Sequence, residues 1–151
     1  FNIDVKTPTA IAATAGAIRD AGASERVLLT SFDQHTIDAL RKLLPDAFFG
    51  TGQQAVLLAV MAVAARSRRL LRRALAGADA VQIPPAVRRL SLVSPRLLDA
   101  YLQHAREVHV WTVNDRELMQ RLLAAGVAGI ITDETALARK VIDRGDSLTG
   151  A

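Results

Sequence analysis

An acid and a base stand two residues apart at the start of the chain. They are Asp4 and Lys6, in the run Phe-Asn-Ile-Asp-Val-Lys. The run is short and β-prone, and it is followed at once by Thr7-Pro8, which signals a helix start. In a β-strand alternate side chains share a face, so Asp4 and Lys6 point the same way. At the C-terminal end of a strand such a pair can serve an anionic substrate. The carboxylate suits a metal ion and the ammonium suits a phosphate oxygen. The plainer reading is an edge strand with solvated charges, but strand ends followed by helices are where α/β folds concentrate their sites.

Similar polar residues recur at the ends of other apolar runs: Ser31 and Asp33, Gln82, Trp111 and Asn114, Thr132 and Asp133. Asp33, Asn114 and Asp133 are expected as helix caps. Ser31 and Thr132 are expected to bond to backbone near a turn. Trp111, the only tryptophan, is either core or a wall facing substrate.

The elements that position these residues follow from periodicity and punctuation. Strands are predicted over 1–6, 26–31, 47–50, 79–83, 108–113 and 128–132. Helices are predicted over 8–22, from the Asp33 cap to Leu44, over 53–76 ending at Gly77, and from Ser94-Pro95 to about Ala105. Two more follow caps: one at Asn114, with Glu117 completing a capping box, and one at Asp133, running through Ile142 before a frayed tail from Arg144. Strict strand–helix alternation implies a parallel sheet. Six such units fit either a doubly wound open sheet or an incomplete TIM (β/α)8 barrel, whose full form needs about 250 residues. No Gly-x-Gly-x-x-Gly or P-loop pattern follows a strand, which counts against the nucleotide-binding sheet. In a barrel all the strand-end residues above lie at one rim.

The 151 residues are half hydrophobic, enough for one domain with a core, and are read as a single partial barrel domain over 1–151. The longest apolar run, Ala55 to Ala65, is too short to span a bilayer, so no transmembrane segment is expected. With no cysteine, disulfides and thiolate metal sites are excluded. No signal peptide is visible and a cytoplasmic location is expected; the chain begins without Met inside an apparent strand, so it reads as part of a longer product. The net charge of +4 is compatible with an anionic ligand and does not require nucleic acid.

Four motifs carry a resemblance: Asn2-Ile3-Asp4-Val5-Lys6, Thr30-Ser31-Phe32-Asp33, Val110-Trp111-Thr112-Val113-Asn114 and Gly129-Ile130-Ile131-Thr132-Asp133. In this order and at these separations the chain resembles the glycerophosphodiester phosphodiesterases, from residue 1 to about 142. The resemblance implies a TIM barrel that hydrolyses glycerophosphodiesters to an alcohol and glycerol phosphate with a divalent metal, Mg2+ or Ca2+. It also assigns roles. Asp4 takes the place of the metal-binding acid in an acid-x-Lys motif, with Asp where Glu is usual. Lys6 takes the place of the catalytic lysine that contacts phosphate, and Trp111 that of the aromatic residue by the substrate.

The chain departs from the family pattern in places. Glu134-Thr135 stands where a Pro follows the last Thr-Asp, Ala128 stands for an Asp, and the turn between His104 and Val108 is short. The family's His-Arg-Gly and Glu-x-Asp motifs, carried on its first two strands, and its second catalytic His are absent from the 151 residues. Of the three histidines, His35 is expected to be exposed on a helix and His104 near a helix C-terminus. His109 is expected on the strand face of Trp111. None of them replaces the missing acid and base.

The reading is therefore the strand-three to strand-eight part of a phosphodiesterase barrel. Its edges are expected to be covered by a second copy or by a missing N-terminal segment, and it is expected to be inactive alone. A non-catalytic interaction module and a sphingomyelinase-type phospholipase D barrel are the competing readings. Finally, Arg66, Arg68, Arg69, Arg72 and Arg73 are expected to form one basic helical face with Leu70 and Leu71 turned inward. A solvated face comes first, anionic lipid headgroups second and nucleic acid third. No stacking aromatics lie near it.

Overall fold

Strand β1 (Asn2–Asp4) lies parallel to β2 (Leu28–Thr30), with Asn2 opposite Leu28, Ile3 opposite Leu29 and Asp4 opposite Thr30. Strand β3 (Phe48–Phe49) pairs parallel to β2 on its other side, giving the order β1-β2-β3. The computed structural model describes residues 1–149, with side chains through Asp143. Phe1–Val81 with His104–Arg106 make one compact unit, and Gln82–Gln103 with the residues from Glu107 onward make a second.

In the first unit a 3-10 turn at Pro8–Ala10 leads into α1 (Ile11–Asp20), which buries Ala15 and Ile18. It ends at Gly22, whose φ of 55° is a left-handed conformation that glycine adopts without a Cβ clash. Helix α2 (Gln34–Leu43) buries Thr36, Ile37 and Leu40. Of these, Ile37 and Leu40 meet Val5, Val27, Leu29, Leu44 and Phe49 in one core. The Arg41 guanidinium lies 4.2 Å from the Phe49 ring centroid and donates to the Gly77 carbonyl at 2.7 Å. Asp79 accepts from the Phe49 N–H at 2.8 Å. Gly50 bridges in parallel to Ala80, and a Cβ there would sit 2.6 Å from Thr30 Cγ2. The strand passes Thr30 only because the residue is glycine.

The expected helix over 53–76 is two helices, α3 (Gln53–Ala64) and α4 (Arg68–Ala74). Arg66 breaks it with a φ of 53°. The Arg66 N–H donates to the Val63 carbonyl, and the Ser67 N–H to the Ala62 carbonyl, which is a Schellman ending. Ser67 then caps α4 by accepting from the Leu70 N–H at 3.3 Å. Arg66 therefore stands at the break, apart from the other four arginines on α4. Leu71 is buried but Leu70 is 52 % exposed, contrary to the expected inward turn.

Strand β4 (Ala80–Ile83) begins at the end of the first unit, and its Gln82 and Ile83 open the second, where a small antiparallel hairpin follows, β5 (Ala86–Val87) with β6 (Leu90–Ser91). No alternation announces this hairpin, because each strand has two residues. Helix α5 (Pro95–Leu102) has Pro95 in its first turn and ends sooner than expected. Strand β7 (Glu107–Trp111) pairs in parallel with β8 (Gly129–Ile131), and the sheet order is β4-β7-β8. Helix α6 (Arg116–Ala124) lies between them in sequence, and α7 (Thr135–Thr149) runs past the expected end at Ile142 and through the expected start of a frayed tail at Arg144. The end of the expected frayed tail, residues 150–151, lies outside the described residues. The two sheets of parallel strands joined through helices bear out the α/β class. Among the described residues no helix is long and apolar enough to cross a membrane.

The caps divide into those where the sequence expects them and those shifted by one residue. Asp33 caps α2 as expected, accepting from the N–H groups of His35 at 3.2 Å and Thr36 at 3.0 Å. The cap of α6 is Asp115, accepting from Leu118 N–H at 2.7 Å, and not Asn114. Helix α7 begins at Thr135, which puts Glu134, one residue past Asp133, at its cap position.

The Thr36 hydroxyl, donating at 2.8 Å, and the two backbone N–H groups hold the Asp33 carboxyl below its ordinary 3.8, against a smaller desolvation effect. Asp33→Ala is expected to lower the melting temperature, and Asp33→Asn, which keeps an acceptor, to lower it less. A carboxyl depressed on folding contributes stability above its unfolded value of 3.8 that is lost as pH falls through the folded value. The gap in melting temperature between wild type and Asp33→Ala, followed by circular dichroism, should therefore be steady near neutrality and shrink in acid. A gap that widens on acidification contradicts this account of the cap.

Candidate active site

The end of β1 is set by which side chains the core accepts. Val5 is buried, and its N–H donates to the Thr30 carbonyl at 2.8 Å, so the ladder continues one residue past the strand. With Val5 turned in, its neighbours Asp4 and Lys6 turn out together. The Lys6 ammonium donates to the Asp4 carboxylate. The same ammonium lies 5.3 Å from the centroid of the Phe32 ring, which is itself 54 % exposed. The side chains of Lys6 and Asp4 are 67 % and 38 % exposed, so both are open to a ligand.

The turn after β2 anchors this end. Ser31 Oγ donates to the Val5 carbonyl at 2.8 Å and accepts from the Asp33 N–H at 3.3 Å. The expected bond from the Ser31 hydroxyl to backbone is thus present, and it ties the strand to the cap of α2.

Trp111 belongs to the second unit, where it closes β7 opposite Ile131. The Trp111–Thr112 peptide is cis. Glu107, His109 and Trp111 alternate along β7, while Val108 and Val110 between them are fully buried. His109 is bound at both ring nitrogens. Its Nδ1 lies 3.0 Å from Gln82 Nε2 and its Nε2 lies 2.9 Å from Glu107 Oε2. The consistent assignment has Nε2–H donating to the carboxylate and Nδ1 accepting from the amide. Both nitrogens are thus engaged within this sheet.

Just past β7, Asn114 binds the end of β8. Its Oδ1 accepts from the Thr132 hydroxyl at 2.9 Å and from the Asp133 N–H at 3.0 Å, and its Nδ2 donates to Asp133 Oδ2 at 3.1 Å. The Thr132 hydroxyl in turn accepts from the Glu134 N–H at 2.9 Å. Asn114 is a clip between two strand ends and not the expected cap.

The structure thus brings Asp4 and Lys6 together, while Trp111 stands in the second unit. Phe32 was not singled out by sequence reasoning, although it sits inside the Thr-Ser-Phe-Asp motif. The Glu107–His109–Gln82 bonds were also missed, and extending the alternation of His109 and Trp111 back by two residues reaches Glu107. His35 is exposed on α2, as expected.

Asp4 offers the hard oxygen donor that Mg2+ or Ca2+ takes, but such ions require about six or more oxygen ligands. Among the described residues no three His, Asp or Glu side chains gather into a group that could hold an ion. Asp4 could therefore serve as no more than part of such a set among the described residues.

Residues 6–137 match the glycerophosphoryl diester phosphodiesterase family. The chain belongs to this family. It is 35 % identical over 142 residues to the Mycobacterium tuberculosis protein named "Probable glycerophosphodiester phosphodiesterase 2", covering 93 % of this chain and 54 % of that one. It is 26 % identical over 129 residues to the glycerophosphodiester phosphodiesterase of Caldanaerobacter subterraneus, covering 85 % of this chain and 47 % of that one. Among solved structures, an Oleispira antarctica phosphodiesterase in complex with the product sn-glycerol-3-phosphate is similar at a TM-score of 0.69. That match is 16 % identical and covers 90 % of this chain and 50 % of the other. The fold is therefore similar to about half of that phosphodiesterase structure, and the chain spans about half the length of the relatives it matches.

In this member of the glycerophosphoryl diester phosphodiesterase family, Gly129 lies opposite His109 in the β7–β8 ladder. A Cβ there would come within 2.6 Å of His109 Cδ2, and the ring cannot swing away without breaking its bonds to Gln82 and Glu107. Gly129→Ala is expected to destabilise the fold by about 1–3 kcal/mol. Combining it with His109→Ala should recover most of that loss in a double-mutant cycle by urea unfolding. Additive losses would show that the ring and the glycine do not constrain each other.

Proposed function

We propose that the complete protein hydrolyses glycerophosphodiesters to an alcohol and glycerol phosphate, and that this chain supplies strands three to eight of its TIM barrel. Membership of the family supports the activity, and the product in the Oleispira antarctica structure supports glycerol phosphate as what is released. The parallel pairing of β1, β2 and β3 in one sheet and of β7 and β8 in the other, with helices between strands, supports the barrel portion. The observation that carries the site is the Asp4–Lys6 pair beside Phe32, exposed at the end of β1.

In this proposal the Lys6 ammonium contacts a non-bridging phosphate oxygen and stabilises the charge that builds there as the diester is attacked. The Phe32 face holds the ammonium near the strand end by cation–π attraction. A substrate phosphate competes with Asp4 for Lys6, and Asp4 is freed to act as one ligand of Mg2+ or Ca2+. When bound, such an ion would neutralise the diester and polarise its phosphorus–oxygen bonds. Trp111 forms an apolar wall for the substrate. Proton transfer falls to an acid–base pair outside this chain, since both nitrogens of His109 are engaged. The open edges of β1 and β8 are covered by further barrel strands or by a second copy, and the protein works in the cytoplasm.

Lys6→Ala in the full-length protein is expected to lower kcat on glycerophosphocholine by roughly 10²–10³, the loss typical of one charge-stabilising donor. Asp4→Ala should raise the Mg2+ or Ca2+ concentration needed for half-maximal rate. Residues 1–151 alone should show negligible turnover. A coupled assay for released glycerol phosphate measures all three. Wild-type rates after Lys6→Ala, or robust turnover by the 151 residues alone, contradict these roles.

A further inference from the structure

Helix α3 has its side chains in an unusual order. The small Ala59 and Ala62 are buried, whereas Leu57, Leu58 and Met61 are 59 %, 52 % and 50 % exposed. At 3.6 residues per turn these three large apolar residues fall within about 100° of the helix circumference. No charged residue interrupts α3. A helix that faces water normally carries polar residues on that side, so this face is built for an apolar surrounding.

What covers the face is indicated by charge. Directly after α3 come the exposed residues Arg66, Arg68, Arg69, Arg72 and Arg73, with exposed Leu70 among them. No Asp or Glu occurs between Asp46 and Asp79. Arg68 and Arg72, like Arg69 and Arg73, are four apart on α4, where like charges repel. A second copy of this chain would bring ten such guanidinium groups together for the five, which disfavours a symmetric pair through this face.

Large apolar side chains beside a basic cluster without acids match a membrane surface carrying anionic lipids. There the apolar groups enter the headgroup boundary and the arginines meet phosphates. We infer that α3 and α4 form a docking element for an anionic lipid bilayer. This element is distinct from the Asp4–Lys6 site and does not depend on the phosphodiesterase reading.

Sedimentation of the full-length protein with vesicles tests this. The probes are phosphatidylcholine alone and phosphatidylcholine mixed with phosphatidylglycerol. The protein should pellet with the mixed vesicles, stay free of the neutral ones and be released by high salt. The exposed-site variants Leu57→Gln/Met61→Gln and Arg68→Gln/Arg69→Gln/Arg72→Gln/Arg73→Gln should each weaken binding at least about tenfold, with unchanged circular dichroism. Three results would overturn the inference. One is no binding to the mixed vesicles, and another is binding indifferent to both sets of substitutions. The third is a dimer by light scattering that Leu57→Gln/Met61→Gln dissociates, which would give the face to a second copy. If the apolar variant fails to fold, the arginine variant decides alone.

Discussion

The register of β1 against β2 is the constraint on which the proposed site depends. Strand faces alternate, so a slip of one residue would turn Asp4 and Lys6 into the core and expel Ile3 and Val5. Burial of Val5 opposes that slip, because two charges would have to replace an apolar contact. Two bonds reinforce it: the Val5 N–H to the Thr30 carbonyl and the Ser31 hydroxyl to the Val5 carbonyl. Ser31 also accepts from Asp33, the cap of α2, so strand, turn and helix are fixed by one short run, Thr30-Ser31-Phe32-Asp33. That run also places Phe32 beside the Lys6 ammonium.

The second unit solves a similar problem with different chemistry. Its strand ends are joined through the Asn114 amide, which meets both the Thr132 hydroxyl and the Asp133 backbone and carboxylate. Below them His109 occupies room left by the missing side chain of Gly129 and is held by Gln82 and Glu107. Trp111 is thus carried on a strand whose polar face is bonded to its neighbour β4 through His109 and Gln82. In α/β folds such fixed strand ends let loops vary without disturbing the groups that contact substrate.

The sequence makes some features legible and hides others for identifiable reasons. The shared face of Asp4 and Lys6 follows from a period of two, and the buried partner between them leaves no ambiguity. The Asp33 cap is equally plain, since an acid precedes an apolar helical pattern. The break between α3 and α4 is hidden because Arg66 takes a left-handed conformation that sequence reasoning reserves for Gly or Asn. Asp115 follows the expected cap Asn114 directly, and either side chain is of a type that caps a helix. Only the position of β8 shows that Asn114 is used across the sheet and Asp115 along the helix. The outward Leu57, Leu58 and Met61 cannot be foreseen from an apolar helix, because nothing in its pattern says which side meets the core.

The most direct test of the central claim is a crystal structure of the full-length protein soaked with sn-glycerol-3-phosphate. If the end of β1 faces the phosphate, a phosphate oxygen will lie within hydrogen-bond distance of Lys6 Nζ, and the Lys6–Asp4 contact will have opened while Phe32 stays beside the ammonium. A phosphate bound elsewhere, with the Lys6–Asp4 pair intact, would contradict it.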